Sequence, residues 1–294
     1  MKSNRIALIA GVVVVAAVIG FLAMHNYWPP KAGTEGAIGT ANRYTAQQIS
    51  AQDVVLKDPK VQAFLQSDTF HQLATNADFR RAVTENKSFV DAARSPQALD
   101  LLAQAMDAGK GGPGKKGPIW ISEYAVAALT DANLAKFTPT QLEALFSVEN
   151  ASLMKSPQFL EMIKVPAFVE AARQGNQQEA LKRLKVSENV RATVEGLAQK
   201  NADYLAMLSS DALRSFTENA NCQALMDQLS QMPDNKWALA LADNNARTLV
   251  ADAGFQRLEN LTAFSEALIG HRTEMKALFQ SNADWAVLCK QAEQ

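Results

Sequence analysis

Two cysteines and three histidines are all that this chain of 294 residues offers to a transition metal. His25, His71 and His271 stand alone, with no H-x-x-x-H or H-E-x-x-H to set two imidazoles on one helix face. No C-x-x-C-H is there to attach a haem, no G-x-S-x-G elbow raises a serine, and no G-x-G-x-x-G follows a strand. The formal net charge is −1, so no basic field gathers nucleic acid. These absences lead to the expectation of no metal, no cofactor, no catalytic constellation and no nucleic-acid partner. The acidic residues are spread along helices as solvated faces. A carboxylate pair assembled from distant positions is the one catalytic arrangement that spacing leaves open.

Charge is also missing from one long run. "IALIAGVVVVAAVIGFLAM", Ile6 to Met24, holds no ionisable side chain. As a helix it spans roughly 28 Å, about the thickness of a bilayer core. Lys2 and Arg5 precede it, and Tyr27 and Trp28 follow where an interfacial aromatic belt lies. A cleaved signal peptide is the competing reading, but the run exceeds a usual h-region and no clear A-x-A site follows. The expectation is a single-pass signal anchor over residues 6–28, with residues 1–5 cytoplasmic. The alanine-rich composition fits a bacterial chain, which makes this the inner membrane and puts the bulk of the protein in the periplasm. Removing Lys2 and Arg5 from the 29 basic residues leaves 27 against 30 acidic, a net of −3. Residues 29–45, with "PPKAGTEGAIGTANRY", read as a flexible linker.

Residues 46–294 read as an all-α domain whose sequence repeats. From Asp58 the chain divides into nines: "DPKVQAFLQ", "SDTFHQLAT", "NADFRRAVT", then Glu85, then "NKSFVDAAR" and "SPQALDLLA". Each opens on Asp58, Ser67, Asn76, Asn86 or Ser95, all good N-cap residues. The fourth position is Val61, Phe70, Phe79, Phe89 or Ala98, and the seventh is Phe64, Leu73, Ala82, Ala92 or Leu101. The frame returns in "SPQFLEMIK" from Ser156, "VPAFVEAAR" from Val165, three units from Asn201 to Asp227, and "NADWAVLCK" from Asn282. Nine residues advance a helix by two and a half turns, so one continuous helix would throw its apolar set to the opposite face at every unit. A break at each cap avoids this. The expected fold is an irregular array of short capped helices, about nine residues per unit, that pack on their neighbours because helices of two turns do not stand alone. The thrice-written "NAD-aromatic" is then a start signal: a cap, an acid at the positive end of the dipole, and a core anchor. Thr138 and Gln141 form a capping-box pattern with Pro139 at the first helical position, and "QQEALKRL" and "ENVRATVEGLAQK" read as ordinary amphipathic helices.

The "SPQFLEMIK"-like units resemble the DP-type domains of heat-shock co-chaperones, over about a third of the chain. The resemblance implies short helices around an apolar groove that holds client segments. The membrane anchor departs from those cytosolic proteins.

Three features invite chemistry. "GKGGPGKKG", Gly109 to Gly117 within a Gly/Lys-rich loop at 107–118, nearly matches a phosphate-binding loop, but Lys116 replaces the magnesium-binding hydroxyl and a helical segment precedes it. It reads as a connector; Lys110, Lys115 and Lys116 are candidate contacts for an anionic partner. Cys222 and Cys289 fall at core positions, as buried free thiols or, in an oxidising compartment, as a disulfide. Asn86, Asn150 and Asn260 match the N-x-S/T sequon. The expected function is non-enzymatic: an anchored scaffold that binds membrane or envelope proteins. An accessory subunit of a membrane complex and a cell-envelope enzyme are the alternatives.

Overall fold

The computed structural model describes residues 51–109 and 121–293. The expected span at 6–28, with Tyr27 and Trp28, the linker at 29–45, and Lys110, Lys115 and Lys116 lie outside those residues. Among the described residues no helix is long and apolar enough to cross a membrane. They form 22 α-helices and one 3-10 helix, with no strand.

The helices are short because caps break them. Asp58 has an extended backbone (φ −64°, ψ 124°), and its carboxylate accepts from the N–H groups of Lys60 and Val61. Ser67, Asn76 and Asn86 accept in the same way from the N–H groups of Phe70, Phe79 and Phe89. Asn76 ends one helix, Asp68–Thr75, and begins the next, Ala77–Thr84. Each extended cap redirects the chain before the apolar face swings away from the core. The fourth positions Val61, Phe70, Phe79, Phe89 and Ala98 are all buried, as are Phe64, Leu73, Ala82 and Ala92 at the seventh, while Leu101 is half-buried. Ser156, Ser210 and Asn219 cap their units as the frame expects. Thr138 and Gln141 form the full capping box, and Gln177–Arg183 and Glu188–Lys200 are helices.

Four unit starts differ. The helix after Ser95 begins only at Ala98. Val165 caps Pro166–Arg173 without a side-chain bond. Asn201 is buried: its Oδ1 accepts from the N–H of Asp203, its Nδ2 donates to the carbonyl of Thr140, and the helix starts at Tyr204. Asn282 stands at φ 56°, the left-handed region. It closes the helix Arg272–Gln280, with the N–H of Ala283 reaching back to the carbonyl of Leu278 at 3.3 Å. Asp284 is the cap there, accepting from the N–H of Val287. The third "NAD" is thus a stop signal followed by a start signal. The reason is local: asparagine tolerates the left-handed region almost alone among residues with a side chain.

Tertiary pairing runs in reverse order. Pro59–Leu65 packs on Arg272–Gln280, Asp68–Thr75 on Thr262–Gly270, Ala77–Thr84 on Ala253–Glu259, Lys87–Ala93 on Asn244–Val250, and Ala98–Gly109 on Lys236–Ala242. Two strings of helices thus run antiparallel, and we call this paired region the arm. The last helix, Trp285–Ala292, lies against Asp68–Thr75 and Ala77–Thr84. Phe79 meets Trp285 edge-on at 5.8 Å, and Phe89 meets Phe279 at 6.3 Å. Caps bond across the pairing. Asn86 Nδ2 donates to Asp252 Oδ2 at 2.7 Å, tying the cap of Lys87–Ala93 to the cap of Ala253–Glu259, the partner of the preceding helix Ala77–Thr84. Beyond the arm, Asn219 Nδ2 donates to Asp131 Oδ2 at 2.9 Å, joining the caps of Ala220–Leu229 and the 3-10 helix Ala132–Lys136.

The middle of the chain closes the arm. Glu123–Leu129 and Val148–Met154 pack on Ala220–Leu229, and Pro139–Phe146 packs on Lys236–Ala242. From this platform projects a lobe of four helices: Pro157–Met162, Pro166–Arg173, Gln177–Arg183 and Glu188–Lys200. Pro166–Arg173 and Gln177–Arg183 pack chiefly on each other, and Pro157–Met162 leans on Val148–Met154. Gly175, at φ 70°, lets the chain turn between the middle two.

Candidate functional site

Those candidate residues from the sequence that lie within the described residues do not converge. Cys222 and Cys289 are both buried free thiols, and no disulfide joins them. Burial pushes Cys222 up to about 12 and Cys289 up to about 11, so neither presents a thiolate at neutral pH. His71 is exposed, with Nδ1 2.7 Å from the carbonyl of Ala292. His271 stacks on Phe64 at 4.9 Å. Among the described residues no group of three or more His, Cys, Asp or Glu side chains is placed to hold a metal ion. Asn150 is fully buried, with Nδ2 on the carbonyl of Leu145 and Oδ1 accepting from the Tyr204 hydroxyl at 2.6 Å, so no oligosaccharide reaches it.

Two clefts bring unlike groups together. The smaller, about 140 Å³, lies among Glu143, Glu149, Lys200, Asn201 and Asn235. Most of its polar groups are already used, although Glu143 bonds to no other described residue. Asn235 accepts from the N–H of Val148 at 2.6 Å and donates to Glu149 at 2.9 Å, while Lys200 stands 3.9 Å from Glu149. Burial alone would raise Glu149, but the bond from Asn235 and the nearby ammonium outweigh it and hold the carboxyl below its ordinary value. A group in this state joins helices; it does not carry protons.

The larger cleft is a groove of about 640 Å³ in the lobe. One wall is the helix Pro157–Met162. Ser156 caps it, accepting from the N–H of Phe159 at 3.3 Å, and Pro157 presets its first turn. Phe159 is buried and anchors that wall, while Met162 is only half-buried. The other wall is the extended segment after Gln177–Arg183 and the first turn of Glu188–Lys200. Leu184 is buried beneath it, and Arg191 donates to the Leu184 carbonyl at 3.3 Å, holding the segment down. Val186 and Val190 are half-buried along this wall. The floor and walls are therefore apolar, at a place where no other helix of the described residues covers Met162, Val186 and Val190 completely.

The rim is charged. Glu161 is matched by Lys164 at 3.1 Å. Lys185 lines the groove and Lys182 lies one helical turn before it in sequence; neither bonds to another described residue. From Lys155 to Arg191 seven basic residues stand against four acidic ones, a net of +3, while the rest of the chain carries −4.

No family model, no curated protein and no solved structure matches this chain. The resemblance to DP-type domains therefore rests on the units alone.

Sequence reasoning missed Met162, Val186 and Val190. The signal was faint but present. Met162 sits at the seventh position of its unit, which is a core position in the arm, and the two valines flank a helix start with no further apolar unit opposite them.

Proposed function

We propose that this chain is a non-enzymatic, single-pass inner-membrane protein that presents an all-helical interaction domain to the periplasm and binds protein partners there. The observation that supports it most is the lobe groove. It combines an apolar surface large enough for several side chains with two facing walls, which suits the helix-in-groove mode of recognition. The uncharged run from Ile6 to Met24 and the basic Lys2 and Arg5 support the anchor and its N-in orientation. The other readings of the sequence, an accessory subunit of a membrane complex and a cell-envelope enzyme, have no specific structural observation of their own.

Co-purification tests the reading. Full-length protein solubilised in mild detergent is expected to bring down a stoichiometric partner, and Met162→Glu is expected to lose it while the far-UV spectrum and melting midpoint hold. Substrate turnover by the purified protein with no partner at all would overturn it. For topology, a C-terminal alkaline phosphatase fusion is expected to be active in bacterial cells. Activity of a cytoplasmic reporter alone would reverse the orientation.

A further inference from the structure

We propose that the lobe groove selects an acidic amphipathic helix of a partner protein, with apolar side chains entering between Pro157–Met162 and Glu188–Lys200 and carboxylates meeting Lys182 and Lys185. The proposal rests on the reading of the domain as an interaction protein and adds which partner it takes.

Three observations carry it. The first is shape: a groove between two walls, with Phe159 buried at the base and Met162, Val186 and Val190 left half-covered. Met162 is unbranched and polarizable, so it adapts to the side chain placed on it. The second is charge. Elsewhere on the lobe Arg191 is spent on the Leu184 carbonyl, and Lys164 is matched by Glu161, Arg173 by Asp211 and Arg183 by Glu179. Lys182 and Lys185 are not. The third is contrast: the surplus of +3 on this segment belongs to a chain whose remainder is −4, so a partner carrying acidic residues is drawn to this face and repelled by the others. Lys185 is the one basic residue of the groove's lining, and Lys182 precedes it by three residues, so the partner's carboxylates are placed at that wall.

An extended apolar peptide is the weaker occupant. Strand addition needs a row of free backbone groups; the helical wall Pro157–Met162 offers none beyond its first turn, and the extended part of the other wall is only Lys185, Val186 and Ser187.

The test uses the full-length protein in detergent and fluorescently labelled synthetic helices. One probe has leucines at i, i+3, i+4 and i+7 flanked by glutamates. A second has the same leucines flanked by lysines, and a third has the acidic composition scrambled. Anisotropy is expected to show saturable binding of the acidic probe, about tenfold tighter than the lysine probe at low salt, with the margin shrinking as salt is added. The double variant Lys182→Glu, Lys185→Glu is expected to reverse the preference, and Met162→Glu to abolish both. Equal binding of acidic and lysine probes, or an unchanged preference in the double variant, would overturn the charge selection. Binding of the scrambled probe as tightly as the patterned one would overturn the helix. Uptake on anionic vesicles that depends on Lys182 and Lys185 and excludes the acidic probe would make the face a membrane contact and also overturn it. If no probe binds while Met162→Glu still brings down the native partner, this proposal fails and the general reading survives. If no partner is recovered with any variant, the general reading fails as well.

Discussion

The arm and the lobe are made of the same unit and end in different surroundings. In both, an extended cap starts a helix of about two turns and an aromatic at the fourth position enters the core: Phe70, Phe79 and Phe89 in the arm, Phe159 and Phe168 in the lobe, all buried. The difference is the partner. Each arm helix from Pro59 to Gly109 meets a helix from the far end of the chain, and cap-to-cap and ring-to-ring contacts tie neighbouring pairs and the last helix together. The lobe helices lean mainly on their chain neighbours. A unit with a long-range partner is closed on its apolar side. A unit without one keeps apolar side chains such as Met162 for something else.

The sharpest way to break this comparison is at an arm aromatic. Phe79 is fully buried and edge-on to Trp285, so Phe79→Ala is expected to lower stability by about 3–5 kcal/mol in chemical denaturation. A loss as small as that of a surface site would mean that the arm is not sealed.

Next in size is Glu259, nearly buried at the end of a helix that pairs with Ala77–Thr84. Burial raises its carboxyl from 4.5 to about 7. Because the folded value lies above the unfolded one, the stability it contributes is full below about pH 4 and is lost as pH rises through about 7. The charge also sits at the negative end of its helix dipole. Glu259→Gln is therefore expected to raise stability at pH 8 by up to about 3 kcal/mol and to flatten the profile between pH 4 and 8. An unchanged profile would show that this carboxylate reaches water.

A cap comes third. Asn86→Ala removes both the bond to the N–H of Phe89 and the bond to Asp252, with an expected cost of about 1–2 kcal/mol. Asn76→Ala removes the cap bond alone and is expected to cost less, about 1 kcal/mol. If the two cost the same, the cap-to-cap bond adds nothing.

The smallest effect belongs to the lobe. Met162→Gln is expected to stay within about 0.5 kcal/mol of the parent in the same denaturation assay, and the amides of Pro157–Arg173 to exchange with deuterium faster than those of Asp68–Thr84. A loss of several kcal/mol would show Met162 to be core and the groove to be closed.

How much of this was legible in the sequence depends on range. Caps are local devices, so Asp58, Ser67, Asn76 and Asn86 announced themselves, and so did the capping box at Thr138. Asn282 did not, because the same letter serves the start of a helix and the left-handed turn after one, and the nine-residue frame does not tell the two apart. Asn201 was misplaced for a similar reason: its side chain was claimed by the Thr140 carbonyl, 61 residues away. The reversed pairing order left no mark in the nine-residue frame, since every unit has the same apolar face whichever partner it meets. The groove left only a faint mark, Met162 at a core position with no apolar unit opposite, for the same reason. It is an absence of partner, and absence has no motif.

The reversed order has a mechanical consequence. Because Pro59–Leu65 meets Arg272–Gln280 and the pairing proceeds inward from there, both ends of the arm's chain lie at one extremity, where Arg80 is tied to Glu293 and His71 to the Ala292 carbonyl. Tension between Ala51 and Glu293 would not load all the pairs together. It would act first on Trp285–Ala292 against Asp68–Thr75 and Ala77–Thr84 and on Pro59–Leu65 against Arg272–Gln280, while Ala98–Gly109, which packs on Thr262–Gly270 as well as on Lys236–Ala242, would hold the inner pairs together as one block.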